Sequence, residues 1–437
     1  MEWQFMLLLF LGSLLVLMAA GMPVAFSFLL VNVVFMFIFW GGHVGLEQLL
    51  ESLFAGVASF TLLPIPLFIL MGEVMFRSGS APRMMDVLDK WLGRLPGRLG
   101  LLAVGGGTIF ATLSGASMAS VAMLGSVLVP EMERRGYKKP MSLGPILGSG
   151  GLALMIPPSG LAVLLGAIGE ISVGRILIAI IIPGLLMAVL YATYIIMRCR
   201  LQPSIAPAYE VTTTPLSEKI LDIFRYVLPL GFIFFLVVGL IFLGVATPSE
   251  AAATGALGTF ILAAVYRRLD WGMVKESIMG TVRVTVMIFM IIAGAMAFSQ
   301  IVAFSGASRA LVAFTMGLPL SPLYIVAAML VVSLFLGMFI NLAAILMLTL
   351  PLFVPVVVAL GFDPVWFAVI FLLTLEMGAT SPPFGLALFV MKGVAPPGTT
   401  MGDCYRAAIP FLGCDLIVLV LLVAFPAVAM WLPHLMR

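Results

Sequence analysis

The chain has 437 residues, of which 63% are hydrophobic and only 9% charged, where soluble domains are roughly half apolar and about 25% charged. A mean hydropathy of +1.24 excludes a water-soluble enzyme and makes membrane lipid the first partner. The net charge of +3 does not point to nucleic acid, because the basic residues sit in loops between apolar blocks, and no nucleic-acid partner is expected.

Apolar blocks of about 20 residues separated by short charged loops favour spanning helices over a β-barrel. Taken in chain order, the expected spans are 3–22, 23–40, 53–76, 141–168, 174–197, 226–245, 251–266, 281–303, 365–391 and 408–432. The opening "MEWQFMLLLFLGSLLVLM" carries Glu2 where a cleavable leader would be basic, and reads as the first span. Between spans, "APRMMDVLDKWLGR" (81–94) alternates apolar and charged residues at helical spacing, which predicts an interfacial arm helix. The polar, proline-bearing stretch 198–225 reads as a cytoplasmic linker that divides the chain into 1–197 and 226–437. Cys199, Cys404 and Cys414 have neither metal-ligand spacing nor an even count, so no disulfide framework is implied.

The halves resemble each other. Pro23 recurs as Pro248, Ser78 and Gly79 as Ser305 and Gly306, Val129 and Pro130 as Val354 and Pro355, Gly136 as Gly361, and Pro157 and Pro158 as Pro382 and Pro383. A constant spacing across five pairs predicts an internal repeat. Loops 77–98 and 131–140 hold Arg77, Arg83, Lys90, Arg94, Arg98, Arg134, Arg135, Lys138 and Lys139, whereas the matching loops of the second half, 304–322 and 356–364, hold only Arg309. The positive-inside bias therefore puts the matched loops on opposite faces and makes the repeats inverted. Block 101–130, flanked on both sides by basic loops, must enter and leave from the cytoplasm, as a re-entrant hairpin; its mate 323–355 enters from the other face. The expected fold is an all-α polytopic membrane protein with about ten spans and two such hairpins.

Bulk falls at the hairpin tips. In "ATLSGASMAS" (111–120) Ser114, Gly115, Ala116 and Ser117 cluster, and in "FLGMFINLAA" (335–344) Gly337, Met338 and Asn341 do. The double prolines in "LALMIPPSGLAVLLGAIG" (152–169) and "LEMGATSPPFGLAL" (375–388) break helices 141–168 and 365–391 at matched positions. Free carbonyls inside a bilayer are tolerated only against protein or a water-filled cavity. With Ser159, Thr380, Ser381 and the tip groups they offer oxygen ligands for a small hard cation, and half-helix N-termini favour an anionic substrate. Among buried charges, Glu376 stands one helical turn before the second break; Glu73 and Glu250 lie near span ends, and Lys392 snorkels to the cytoplasmic boundary. His43 and His434 sit at a loop and a terminus, and no catalytic or transition-metal constellation is present, so no enzyme is expected.

"PLFILMGEVMFRSG", "ATLSGASMASVAMLG", "ATPSEAAATGA", "GFDPVWFAVI" and "SPPFGLALFVMKGVAP" resemble the large membrane subunit of tripartite ATP-independent periplasmic (TRAP) transporters, the DctM-like permeases, over essentially the whole chain. The resemblance implies a sodium-coupled importer in the bacterial inner membrane, with sodium as coupling ion and no other cofactor. It further implies an elevator-type transport domain built from the hairpins and broken helices, the remainder forming a scaffold. The implied partners are a separate small four-helix membrane subunit and a periplasmic binding protein that delivers an organic acid, C4-dicarboxylate-like or another carboxylate. Carried over by position, one sodium site uses Ser114, Gly115, Ala116 and Ser117 with Met155, Ile156, Ser159 and Gly160. The other uses Met338 and Asn341 with Gly378, Thr380 and Ser381. Substrate contacts fall on Ser117, Ser159, Asn341, Thr380 and Glu376. Many relatives carry aspartate where this chain has Asn341, and a plainer stretch where it has Glu376. A stand-alone sodium- or proton-coupled dicarboxylate or citrate carrier shares the same physics; dependence on a binding protein separates the two.

Overall fold

A computed structural model describes residues 3–93, 95–114, 117–207 and 215–436, with the side chains at 81, 82 and 110–114 left aside. Among the described residues there is no strand. The first half comprises α1 (Trp3–Ala19), α2 (Val24–Phe39), α3 (His43–Val57), α4 (Pro64–Arg77), α5 (Ser80–Leu92), α6 (Arg98–Ser114), α7 (Ser117–Arg134), α8 (Lys139–Met155), α9 (Gly160–Ile168), α10 (Val173–Ala179) and α11 (Ile181–Leu201). The second comprises α12 (Leu216–Phe242, with two π-helical stretches), α13 (Pro248–Val265), α14 (Trp271–Phe304), α15 (Ala307–Met316), α16 (Pro322–Gly337), α17 (Leu342–Ala359), α18 (Pro364–Thr380), α19 (Leu386–Val394), α20 (Met401–Ala424) and α21 (Ala427–Leu435).

Among the described residues seven segments are long and apolar enough to span: Phe60–Arg77, Val173–Leu201, α12, α13, α14, α17 and α20; α8 with α9 makes an eighth, bent by 43°. The ten expected spans do not map one to one onto these. Expected span 53–76 is interrupted because Pro64 and Pro66 supply no N–H to a helix arriving from α3, which ends at Val57. Expected span 365–391 divides into α18 and α19 at its double proline. α12 begins ten residues inside the expected linker, since Leu216, Ile220, Leu221 and Phe224 keep helical spacing among Glu218, Lys219 and Asp222. α14 spans 34 residues, about 50 Å at 1.5 Å per residue, and its polar first turns reach beyond the hydrocarbon.

Local chemistry places the ends. Thr247 with Glu250 and Thr400 with Asp403 form capping boxes on α13 and α20, so Glu250 is a helix-start residue rather than a site residue. Asp270 and Asp363 cap α14 and α18. The Arg77 guanidinium donates to Glu73 at 3.0 Å and also to Glu276, tying α4 to α14. Lys90 of the arm helix α5 bonds Asp222 at 2.6 Å and Glu218 at 2.8 Å on α12, and these two carboxylates raise the amine above the ordinary lysine range. Lys392 donates to the Thr399 carbonyl.

The core is built around two helices that lipid never touches. Every residue from Met141 to Met155 of α8 and from Val365 to Thr380 of α18 is buried. α6, α7, α11 and α20 enclose α8, while α10, α16, α17 and α20 enclose α18. Small residues allow the approach: a Cβ on Gly148 would sit 2.5 Å from the Phe411 ring of α20, and one on Gly378 only 2.8 Å from the Gly337 Cα of α16.

Candidate functional site

The two double prolines interrupt the two core helices. Ile156 and Ser159, and then Ser381 and Gly385, have non-helical backbones with ψ between 116° and 135°, so each helix stops and restarts there, the Ser159 carbonyl already accepting from the Val163 amide at 3.1 Å and the Ser381 carbonyl from the Gly385 amide at 3.0 Å. Both proline pairs are joined by cis peptide bonds. Helix resumes after the first break with the Ser159 hydroxyl accepting from the Ala162 amide at 3.4 Å; after the second it resumes at Gly385 without a side-chain cap.

Each break meets different neighbours. Ser159 is wholly buried, and Pro158 lines a small apolar cleft with Met71, Met75, Leu230, Phe234 and Val237 from α4 and α12. The Met155 carbonyl lies against Gly184 of α11, where a Cβ would approach it to 2.2 Å. At the second break Thr380 donates to the carbonyls of Glu376 (3.1 Å) and Met377 (3.2 Å), and Ser381 donates to Met377 at 2.6 Å. Phe384 there is 49% exposed and its ring lies 5.1 Å from Phe339 at the second hairpin tip. The Tyr405 hydroxyl of α20 donates to the Pro383 carbonyl at 2.7 Å.

Of the first-tip residues, Gly115 and Ala116 lie outside the described residues, as does the side chain of Ser114. Ser117, at the start of α7, is buried and donates to Glu376 at 3.3 Å, crossing from the first half to the second. In the second tip Met338 is half-buried, and Asn341 is exposed, its side-chain oxygen accepting from the Ala343 amide at 2.9 Å to start α17. The structure therefore joins Ser117 to Glu376, and joins tip 338–341 to the second break through Phe339 and Phe384, while the Met155 carbonyl faces Gly184 of α11.

Glu376 is the pivot. It is 1% exposed, a Cβ on Gly151 of α8 would meet its Cγ at 2.5 Å, and its second carboxyl oxygen is buried with no hydrogen-bond partner. Asp415 of α20, 3% exposed, lines the same narrow cleft as Glu376 and Thr380, and accepts from the buried Tyr191 hydroxyl of α11. Neither carboxylate has an ion-pair partner among the described residues. Burying a charge is tolerated only with a compensating partner, so the pair calls for protons or a cation. The sequence reading passed over Asp415, although it stands in "GCDLIVLVLLV" (413–423) as plainly as Glu376 does in its own apolar run. The rule that singled out one carboxylate inside a span applies to both.

This architecture, two broken core helices inside a wholly helical bundle among the described residues, is similar in fold to the Alcanivorax borkumensis YdaH transporter at a TM-score of 0.64, covering 88% of this chain and 89% of that one at 16% identity. The sequence itself is specific. Residues 11–428 match the model of the "Tripartite ATP-independent periplasmic transporter, DctM component", and the chain belongs to that family. It is 33% identical to the C4-dicarboxylate TRAP transporter large permease protein DctM of Pseudomonas aeruginosa, over 89% of this chain and 90% of that protein. It is also 31% identical to the sialic acid TRAP transporter large permease protein SiaM of Vibrio cholerae, over 96% of each.

Proposed function

We propose that the chain is the large membrane subunit of a secondary importer in which a sodium gradient drives uptake of an organic acid across the bacterial inner membrane. A periplasmic binding protein delivers the acid, and a separate small four-helix subunit completes the membrane part. Family membership supports the binding-protein-dependent transport of organic acids, and the relatives' named substrates, a C4-dicarboxylate and sialic acid, are both carboxylates.

The observation that carries the coupling is the bond from Ser117 to Glu376 beside a broken helix, with Thr380 lining the same cleft as Glu376 and one carboxyl oxygen left unpartnered. This donor set is all oxygen, which suits a hard cation such as sodium. One sodium is assigned to the tip at Ser114–Ser117 with the break at Met155–Gly160, and the other to Met338 and Asn341 with Gly378, Thr380 and Ser381. Substrate contacts fall on Asn341, which is exposed, joined by Ser117, Ser159, Glu376 and Thr380, which are closed off in this conformation.

Alternating access comes from the hairpins and broken helices of two inverted repeats moving as a transport domain against the remainder as scaffold. Supporting this, α7, α8 and α9 have bounds matching those of α17, α18 and α19 at spacings of 225 to 226 residues, from 117–134, 139–155 and 160–168 to 342–359, 364–380 and 386–394. Gly136 and Gly361 share a left-handed backbone, at φ 83° and 80°. The packing crosses over as well: α7 lies on α19, and α17 on α9.

The test is uptake of a radiolabelled carboxylate into liposomes holding this chain and its small subunit. Accumulation should require both a sodium gradient and the binding protein. Uptake indifferent to sodium overturns the coupling, and uptake without binding protein favours the stand-alone carrier.

A further inference from the structure

An open cavity lies away from the broken helices. A groove of about 870 Å³ runs between the arm helix α5, α12 and α13. Three arginines line it: Arg83 of α5, Arg225 of α12 and Arg267 in the turn that follows α13. Arg83 is held between two tyrosines, its guanidinium carbon 5.6 Å from the Tyr226 ring centre and 5.0 Å from that of Tyr266, and Arg225 lies 5.6 Å from the Tyr226 ring. The Tyr266 hydroxyl donates to the Arg225 carbonyl at 2.6 Å, closing α12 onto α13. Arg267 takes φ +55°, the left-handed residue of a C-terminal cap in which the Arg268 amide donates to the Ala263 carbonyl at 2.9 Å, and this turn carries its side chain to the groove.

None of the three arginines is within ion-pair distance of a carboxylate among the described residues. The nearby acids Glu218 and Asp222 are engaged by Lys90. Stacking on the tyrosines positions a guanidinium without neutralising it. Below the arginines the wall is apolar and outward-facing: Phe232 is 59% exposed, Ile261 56% and Val265 69%. A site with unpaired cations and aromatic rings at one end, and an acyl-sized apolar wall beneath, has the polarity of an anionic lipid. Arg225, Arg267 and Arg268 lie at the end of α12 and α13 that the positive-inside bias assigns to the cytoplasm.

We infer that this groove binds an anionic phospholipid of the cytoplasmic leaflet, its phosphate on Arg83, Arg225 and Arg267 and an acyl chain along Phe232, Ile261 and Val265. The bound lipid joins the arm helix to α12 and α13. The inference is independent of the ion-coupling reading, since none of these residues belongs to the broken helices.

Native mass spectrometry of the full chain in detergent tests it, titrated with phosphatidylglycerol and, separately, phosphatidylcholine. Phosphatidylglycerol adducts should form at about one tenth of the phosphatidylcholine concentration, a tenfold preference equivalent to about 1.4 kcal/mol. The R83Q/R225Q/R267Q variant should lose that preference, and the single exposed variant R267Q, which leaves the tyrosine stack intact, should reduce it about threefold. Equal binding of the two lipids overturns the inference, and so does a preference unchanged in R267Q and in the triple variant. Competition by inorganic phosphate at the same concentration would reduce the groove to a simple anion site. Loss of the preference when the small membrane subunit is bound would assign the groove to protein instead of lipid.

Discussion

The two proline breaks begin from nearly the same text, "IPPSG" and "SPPFG", yet they inhabit different surroundings. The first is sealed: Ser159 is wholly buried, Pro158 faces the methionines of α4, and Gly184 receives the Met155 carbonyl. The second is open on one side, with Phe384 exposed against Phe339 of the hairpin tip. Two residues separate the motifs, Ile156 against Ser381 and Ser159 against Phe384; in the second pair the serine caps the restarted helix of the first break and the phenylalanine covers a tip at the second. Equivalent backbone breaks thus acquire unequal roles from what packs over them. A transporter that opens to one face at a time requires such inequality in any single conformation.

The halves also touch where they differ most. Glu376 stands at the place corresponding to Gly151, and these two positions are in direct contact. The missing side chain of one half makes room for the carboxylate of the other.

Exchanging the residues that distinguish the breaks tests the comparison most severely. Ser159→Phe places a ring in a site with no space, and should cost about 3 kcal/mol or more, read as a large fall in the thermal unfolding midpoint in detergent; near-wild-type stability would mean the first break is not sealed. Next in size is Glu376→Gln, which keeps the volume and removes the charge. Sodium-driven uptake should fall at least about tenfold, equivalent to about 1.4 kcal/mol, while Asp415→Asn, whose amide oxygen still accepts from Tyr191, should lose less. Equal effects of the two would remove Glu376 from its special position.

Ser117→Ala and Thr380→Ala each withdraw one hydroxyl, a change of about 1 kcal/mol or about fivefold in the sodium concentration giving half-maximal uptake. An unchanged sodium requirement in both would refute the assignment. The smallest effect belongs to Phe384→Ser, which gives the second break the serine of the first. It loses an aromatic pair worth about 1 kcal/mol and gains a helix cap of about the same size, so the unfolding midpoint should hardly move. A large drop would show that the Phe339 contact holds the tip in place.

Much of this was legible in the chain. The bilayer follows from composition, and the breaks follow from prolines that cannot donate an amide hydrogen bond, wherever they are packed. Glu376 was visible as a carboxylate in an apolar run, and the arm helix as a fourteen-residue amphipathic period, which emerges as α5. The first turns of α12 were mistaken for linker because Glu218, Lys219 and Asp222 concealed a helical spacing, and their purpose, pairing with Lys90, lies 128 to 132 residues away in sequence. Asp415 went unnoticed for a related reason. Its partner Tyr191 is 224 residues distant, and nothing local distinguishes a buried carboxylate from one at a span end.

What the sequence determined by itself is therefore whatever depends on the chain's own covalent chemistry and local periodicity: the solvent, the helices, the two points at which they must break, and the family. What only the tertiary structure decided is which break is sealed, that Ser117 reaches Glu376 across 259 residues, and that three unpaired arginines converge on one groove. Those outcomes depend on side chains brought together from distant segments, and that proximity is a property of the packed fold.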